Sequence, residues 1–263
     1  MKEFLKFLSL PVAIFVVAGI LALVPLTASA DVETFKTREG GDFKVHFFAA
    51  DNPVATIIMV EGAGGLFDPH VDGFVSAQYD KFVSHGLNVA IMDPPADRSG
   101  FHGGMPLRFR EKRAHAKDIR AVIRKMKRRH QLPVWLLGVS MGSKSVANIV
   151  SRRSRGIAGV VFVSSTMRPP PGFKAVTDHD LSGVKSAVLA VAHEDDGCRG
   201  TPPEGAREIV NAATSSSRAE VLMISGGSDD ERNPCGIRTP HTMYGVEEES
   251  VAGIAKFIKK NNR

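Results

Sequence analysis

The chain has 263 residues, 43% of them hydrophobic and 24% charged, with 25 Gly and 15 Pro. These proportions fit a globular protein and exclude disorder, collagen and coiled coil. The formal charge is +6, and two cysteines are too few for a disulfide-dense scaffold or a four-cysteine zinc site, leaving one bridge or two free thiols.

Residues 1–30 read as a secretory signal peptide. Lys2 and Lys6 precede an apolar run over 7–26, and Ala28-Ser29-Ala30 has the small-residue form of a cleavage site. An uncleaved membrane anchor is the alternative, since the apolar run is close to the shortest that spans a bilayer. Cleavage near Ala30 implies a secreted or periplasmic protein in an oxidising compartment. The remaining chain carries 32 basic and 27 acidic residues.

Beyond residue 40, apolar β-branched runs at 43–48, 54–60, 87–92, 134–137, 157–163, 187–191 and 219–224 alternate with helical patterns and loops. That alternation predicts an α/β fold with a mostly parallel, doubly wound sheet. The run 43–48 is expected to enter the sheet as an edge strand. With neither repeat nor low-complexity linker, residues 31–263 read as one domain.

One segment concentrates the charge. Between Arg108 and His130 stand eleven Lys or Arg and two acids. Ile119, Val122, Ile123 and Met126 recur at i, i+3, i+4 and i+7, so 108–130 is predicted to be an amphipathic helix with a cationic outer face. Weak contact with anionic surfaces is one role for that face, and simple solvation is the other. Without interleaved aromatic residues, nucleic acid is not expected as a partner.

The run 134–137 leads into Gly138-Val139-Ser140-Met141-Gly142, a G-x-S-x-G motif between a strand and a helix-compatible segment at 144–150. Such a turn lifts the serine hydroxyl above the strand ends, and glycines flank it because side chains would strike neighbouring backbone. Two rival motifs fail on their letters. Lys144 is displaced by one from its place in a phosphate-binding loop, and Phe67 stands where the dinucleotide fingerprint beginning at Gly62 needs a third glycine. No cofactor or metal is therefore expected.

A serine nucleophile needs an acid and a base, in the chain order Ser, Asp or Glu, His. The run 187–191 is followed by His193-Glu194-Asp195-Asp196, an acidic turn in which Asp196 is the preferred acid and Asp195 stays open. Only His241 lies downstream of that turn among the nine histidines. It precedes a final helix expected at 246–258.

These residues, with the Gly62-Ala63-Gly64-Gly65 loop, resemble the α/β-hydrolase superfamily and, within it, small exported bacterial members. The resemblance covers essentially all of 31–263. It implies Ser140 as nucleophile, Asp196 as acid, His241 as base, and the backbone N–H groups of Ala63 and Met141 as an oxyanion hole. Glu61 departs from the histidine that many lipases and esterases carry before the oxyanion glycine. The implied activity is hydrolysis of a small-molecule carboxylic ester, thioester or amide through an acyl-enzyme. A non-catalytic periplasmic binding or scaffold protein on the same fold is the alternative.

The superfamily inserts its lid where this chain has 164–181, which is too short for a helical cap, so a minimal lid is expected. The loop 93–107 is expected to border the site. Export and an even cysteine count, with the acid and base loops brought to one end of the sheet, predict a Cys198–Cys235 disulfide. The sequence leaves oligomeric state open.

Overall fold

A computed structural model describes residues 31–99 and 104–262; the expected signal peptide at 1–30 lies outside the described residues. The seven apolar runs and one further segment form the eight strands of the described residues: β1 (Asp31–Phe35), β2 (Phe43–Phe48), β3 (Ala55–Val60), β4 (Leu87–Met92), β5 (Val134–Val139), β6 (Gly159–Val163), β7 (Ala187–His193) and β8 (Ala219–Ile224). They join in one sheet in the order β1-β2-β4-β3-β5-β6-β7-β8. The pairs β1–β2 and β2–β4 are antiparallel. Every pair from β4 to β8 is parallel.

One expectation is corrected at the edge. β2 lies inside the sheet, between β1 and β4, and Asp31–Phe35 is the edge strand. The sequence hides β1 because its five residues are mostly polar and exposed, with only Phe35 buried. Such a strand presents little apolar periodicity to read.

The helices are α1 (Phe74–Ser84), α2 (Leu107–Arg110), α3 (Arg113–His130), α4 (Met141–Arg152), α5 (Gly205–Ala212) and α6 (Glu247–Lys260). Side chains alternate across the sheet with period two, so β5 sends Val134 and Leu136 to one face and Trp135, Leu137 and Val139 to the other. The first face packs under α3, α4 and α5, and the second under α1 and α6. Both faces being covered explains why β3, β4 and β5 are buried along their whole length. No described helix is long and apolar enough to cross a membrane.

The expected stripe of Ile119, Val122, Ile123 and Met126 is buried against the sheet, each side chain contributing about 1.5–3 kcal/mol. The single basic helix over 108–130 is corrected, however. It is two helices, broken where Lys112 takes an extended conformation with φ −79° and ψ 149°. The break lets Arg110 turn inward, where it is fully buried. Part of the cationic face is also engaged within the molecule: Lys125 pairs with Glu33 at 2.6 Å and Arg129 with Asp31 at 2.8 Å. Arg120 donates to the backbone carbonyls of Arg153 and Arg155.

The parallel register sets Val60 beside Gly138, Val139 beside Val163, and His193 beside Ile224. The segments leaving β3, β5, β6, β7 and β8 therefore emerge at one end of the sheet, and the chemistry-bearing residues sit on them.

Candidate active site

Ser140 is the first residue after β5 and precedes α4. Its backbone has φ 49° and ψ −119°, a conformation an L residue adopts only when its surroundings impose it. Here its N–H donates to the Val163 carbonyl at 2.9 Å. The two motif glycines are required by close approach. A Cβ on Gly142 would lie 2.1 Å from the Val60 carbonyl oxygen, and one on Gly138 would lie 2.5 Å from that of Gly142.

The acid turn is organised by His193, which ends β7. Its Nδ1 accepts the Asp195 N–H at 3.1 Å, so Nε2 carries the proton and donates to the Gly226 carbonyl at 2.8 Å. This turn points Asp195 to solvent and Asp196 inward. Asp196 Oδ1 accepts the Cys198 N–H at 2.9 Å, and Oδ2 accepts the Thr201 hydroxyl at 3.0 Å. Oδ2 also stands 3.0 Å from His241 Nδ1, while Asp195 makes no contact with that ring.

His241 lies in a short 3-10 turn after β8, Pro240–Thr242, whose N-cap Thr239 accepts the His241 N–H. The Ser164 hydroxyl, at the end of β6, donates to the His241 carbonyl at 2.7 Å. The ring is buried, at 4% exposure. With Nδ1–H directed to the carboxylate, Nε2 is the nitrogen left basic. Thr201 and Ser164 are positioning groups that the sequence does not reveal, because isolated hydroxyl residues in irregular segments carry no motif.

Cys198 and Cys235 form a disulfide that joins the acid loop to the segment before the base. Among the described residues, one group of His, Cys and acidic side chains is close enough to resemble metal ligands: Asp196, Cys198 and His241. The Cys198 sulfur is committed to the disulfide, so this group lacks a thiolate and does not make a three-ligand site.

Ser140, Met141, Ala63 and His241 line one cavity of about 370 Å³, the Ser140 and His241 side chains sharing it without a hydrogen bond between them. Its wall includes the apolar Leu66, Val71, Phe74 and Ile237. Leu107, at the end of the 93–107 segment, and Pro169, in the 164–181 stretch, line it as well; the latter stretch holds a single 3-10 turn, Val176–Asp178. A larger cavity of about 910 Å³, lined by Arg155, Lys185, Arg218 and Lys260, contains none of these groups. It lies beside the starts of β6, β7 and β8, whereas ligand sites of parallel sheets form at the carboxyl ends.

Glu61 leaves β3 into the same cavity. Its Oε1 accepts the Gly62 N–H at 2.9 Å, and the Val75 and Ser76 N–H groups at the start of α1 stand near the carboxyl. Burial pushes the carboxyl pKa up, opposed by the Gly62, Val75 and Ser76 N–H groups and by Arg110.

A strained serine after a central strand, sharing a cavity with a histidine that pairs with a buried aspartate, is the layout of an α/β hydrolase. Residues 51–194 match the family described as serine aminopeptidase, S33, and the chain belongs to that family of hydrolases. Similar folds occur in the esterase Pf2001 of Pyrococcus furiosus, with TM-score 0.64, 13% identity and coverage of 89% of this chain and 93% of that one. Est1E of Butyrivibrio proteoclasticus gives TM-score 0.61, 13% identity and coverage of 88% and 98%. A thermostable carboxyl esterase of Bacillus coagulans gives 0.61, 14%, and 89% and 99%. No curated protein matches the chain in sequence.

Proposed function

We propose that this hydrolase is an exported serine esterase that works through an acyl-enzyme. The observation that carries the reading is the buried Asp196–His241 bond of 3.0 Å at the cavity where Ser140 is held in its strained turn. His241 Nε2 takes the Ser140 proton as Oγ attacks the acyl carbonyl carbon, and the carbonyl π electrons move to oxygen. The N–H groups of Ala63 and Met141 stabilise that oxyanion. Collapse expels the alcohol, which receives the proton from His241, and water repeats the sequence to release the acid. Asp196 holds the tautomer and stabilises the imidazolium.

An ester is favoured over an amide because the structural relatives named above are esterases, although the family description names an aminopeptidase. The apolar wall suits an uncharged acyl group. Export is supported by the disulfide, the form that paired thiols take in oxidising compartments.

A fluorophosphonate probe followed by peptide mass spectrometry tests the reading. The expected result is one adduct, on Ser140, together with turnover of short p-nitrophenyl esters that exceeds turnover of aminoacyl p-nitroanilides. Ser140→Ala is expected to abolish both labelling and turnover with little change in melting temperature. A folded protein that takes no label would favour a binding or scaffold role instead. Ester turnover by Ser140→Ala within about tenfold of wild type would remove Ser140 from the mechanism.

A further inference from the structure

Arg110 is the last residue of α2, and its surroundings are unusual for an arginine. The side chain is fully buried, and the charge that acts on it is that of the nearby Glu61 carboxyl, with which it makes no direct salt bridge. Burial pushes its pKa down to about 10, which still leaves the guanidinium charged at neutral pH. A buried charge without a direct ion pair is costly unless its donors are satisfied. Here Nη2 donates to the Gly62 carbonyl at 2.6 Å and Nη1 to the Glu61 carbonyl at 3.0 Å. Nη1 also reaches Ser145 Oγ at 3.3 Å, and Nε reaches the Met105 carbonyl at 3.3 Å. Asn148 Nδ2 in turn holds the Arg110 carbonyl at 2.8 Å.

These acceptors stand on both sides of the expected oxyanion hole. Glu61 and Gly62 belong to the loop that presents Ala63, and Ser145 belongs to α4, which begins with Met141. The loop is close to the nucleophile, since a Cβ on Gly62 would be 3.2 Å from the Ser140 Cβ. The Gly62 carbonyl and the Ala63 N–H are, moreover, the two ends of one planar peptide group. A charge-assisted bond to the carbonyl end draws electron density from the nitrogen and makes its N–H a stronger donor.

We infer that Arg110 is a positioning residue for catalysis. It aims and polarises the Ala63 N–H toward the oxyanion and ties that loop to the helix carrying Met141. The inference rests on the serine-esterase reading above. Arginine suits the task because its planar fork spans two carbonyls, which a lysine ammonium does so less well.

The test compares wild type, Arg110→Gln and Arg110→Lys, each verified as folded by circular dichroism. The readouts are kcat per serine titrated with fluorophosphonate, KM for p-nitrophenyl butyrate, and inhibition by phenylboronic acid, whose tetrahedral adduct mimics the oxyanion. Arg110→Gln is expected to lower kcat per titrated serine about 30-fold, somewhat less than loss of a whole donor, with KM changed by less than about threefold. Boronic acid affinity is expected to fall by a similar factor. Arg110→Lys is expected to recover only part of the loss, and it serves as the deciding variant if Arg110→Gln does not fold. A purely structural role would reduce the titratable fraction and leave kcat per titrated serine unchanged; that result in a folded variant would overturn the inference. Wild type that takes no fluorophosphonate would instead overturn the esterase reading itself.

Discussion

Thr201 donates its hydroxyl hydrogen to Asp196 Oδ2 at 3.0 Å, the oxygen that also faces His241 Nδ1. Its Oγ1 is itself 3.1 Å from that nitrogen, so one hydroxyl braces both partners of the buried pair. Thr201→Val keeps the shape and leaves the carboxylate with one bond fewer. The expected cost is about 1–2 kcal/mol of stability and about tenfold in kcat/KM, with Thr201→Ser restoring most of the latter. Denaturant unfolding and ester kinetics measure the two losses. Unchanged kinetics in Thr201→Val would show that the Asp196–His241 pair needs no brace.

Asp196 and Asp195 are neighbours with opposite environments, one buried against His241 and one exposed. An amide in place of Asp196 no longer favours the Nδ1–H tautomer, and such a change can lower kcat by about 10⁴-fold. Asp196→Asn is therefore expected to be nearly inactive, while Asp195→Asn stays within about threefold of wild type because its side chain is exposed and bonds to no group of the site. Steady-state ester hydrolysis by the two variants decides the assignment, and the reverse ranking would move the acid to Asp195.

The central sheet and the residues at its carboxyl end were legible in the sequence because both rest on local patterns. Continuous apolar runs mark strands covered on both faces, and G-x-S-x-G marks the turn that strains Ser140. The preference for Asp196 over Asp195 has no local pattern to rest on, since it depends on how His193 folds the turn through its own backbone partners. Thr201, Ser164 and Arg110 were not legible at all, because their meaning lies in contacts between segments far apart in the chain. Arg110 was even misleading: placed among eleven basic residues it resembles a surface cation, and only the break before α3 turns it inward. Edge strand β1 is not legible because an exposed strand has no apolar pattern to betray it.

The disulfide joins residues 37 apart, for which the loss of unfolded-chain entropy amounts to about 4 kcal/mol. Cys198 also supplies the N–H that fixes Asp196 Oδ1 at 2.9 Å, so the bridge secures the acid loop locally. Replacing both cysteines with serine is expected to lower the melting temperature and, well below that temperature, to lower kcat as well. Scanning calorimetry and kinetics at 20 °C separate the effects. A large thermal shift with unchanged kcat would confine the bridge to stability.

The pH dependence of stability is expected to report on His115, on the buried face of α3. Both ring nitrogens lack partners among the described residues, and the side chain is 1% exposed. Burial, with the nearby charges of Arg110 and Arg38, pushes its pKa down to about 3. In the unfolded chain the ring takes its proton near pH 6.5. Above that pH the ring is neutral in both states and contributes no pH dependence. As pH falls from 6.5 toward 3, only the unfolded chain gains the proton, so the native state loses ground progressively. The expected loss from this residue is about 2 kcal/mol at pH 5. His115→Leu removes the titration and keeps an apolar side chain of similar bulk against Phe109. Urea unfolding at pH 7.5 and pH 5 is expected to show that the variant's stability falls less between the two than wild type's, by about those 2 kcal/mol. Equal falls in both proteins would mean that His115 binds its proton in the native state and that other groups set the acid sensitivity.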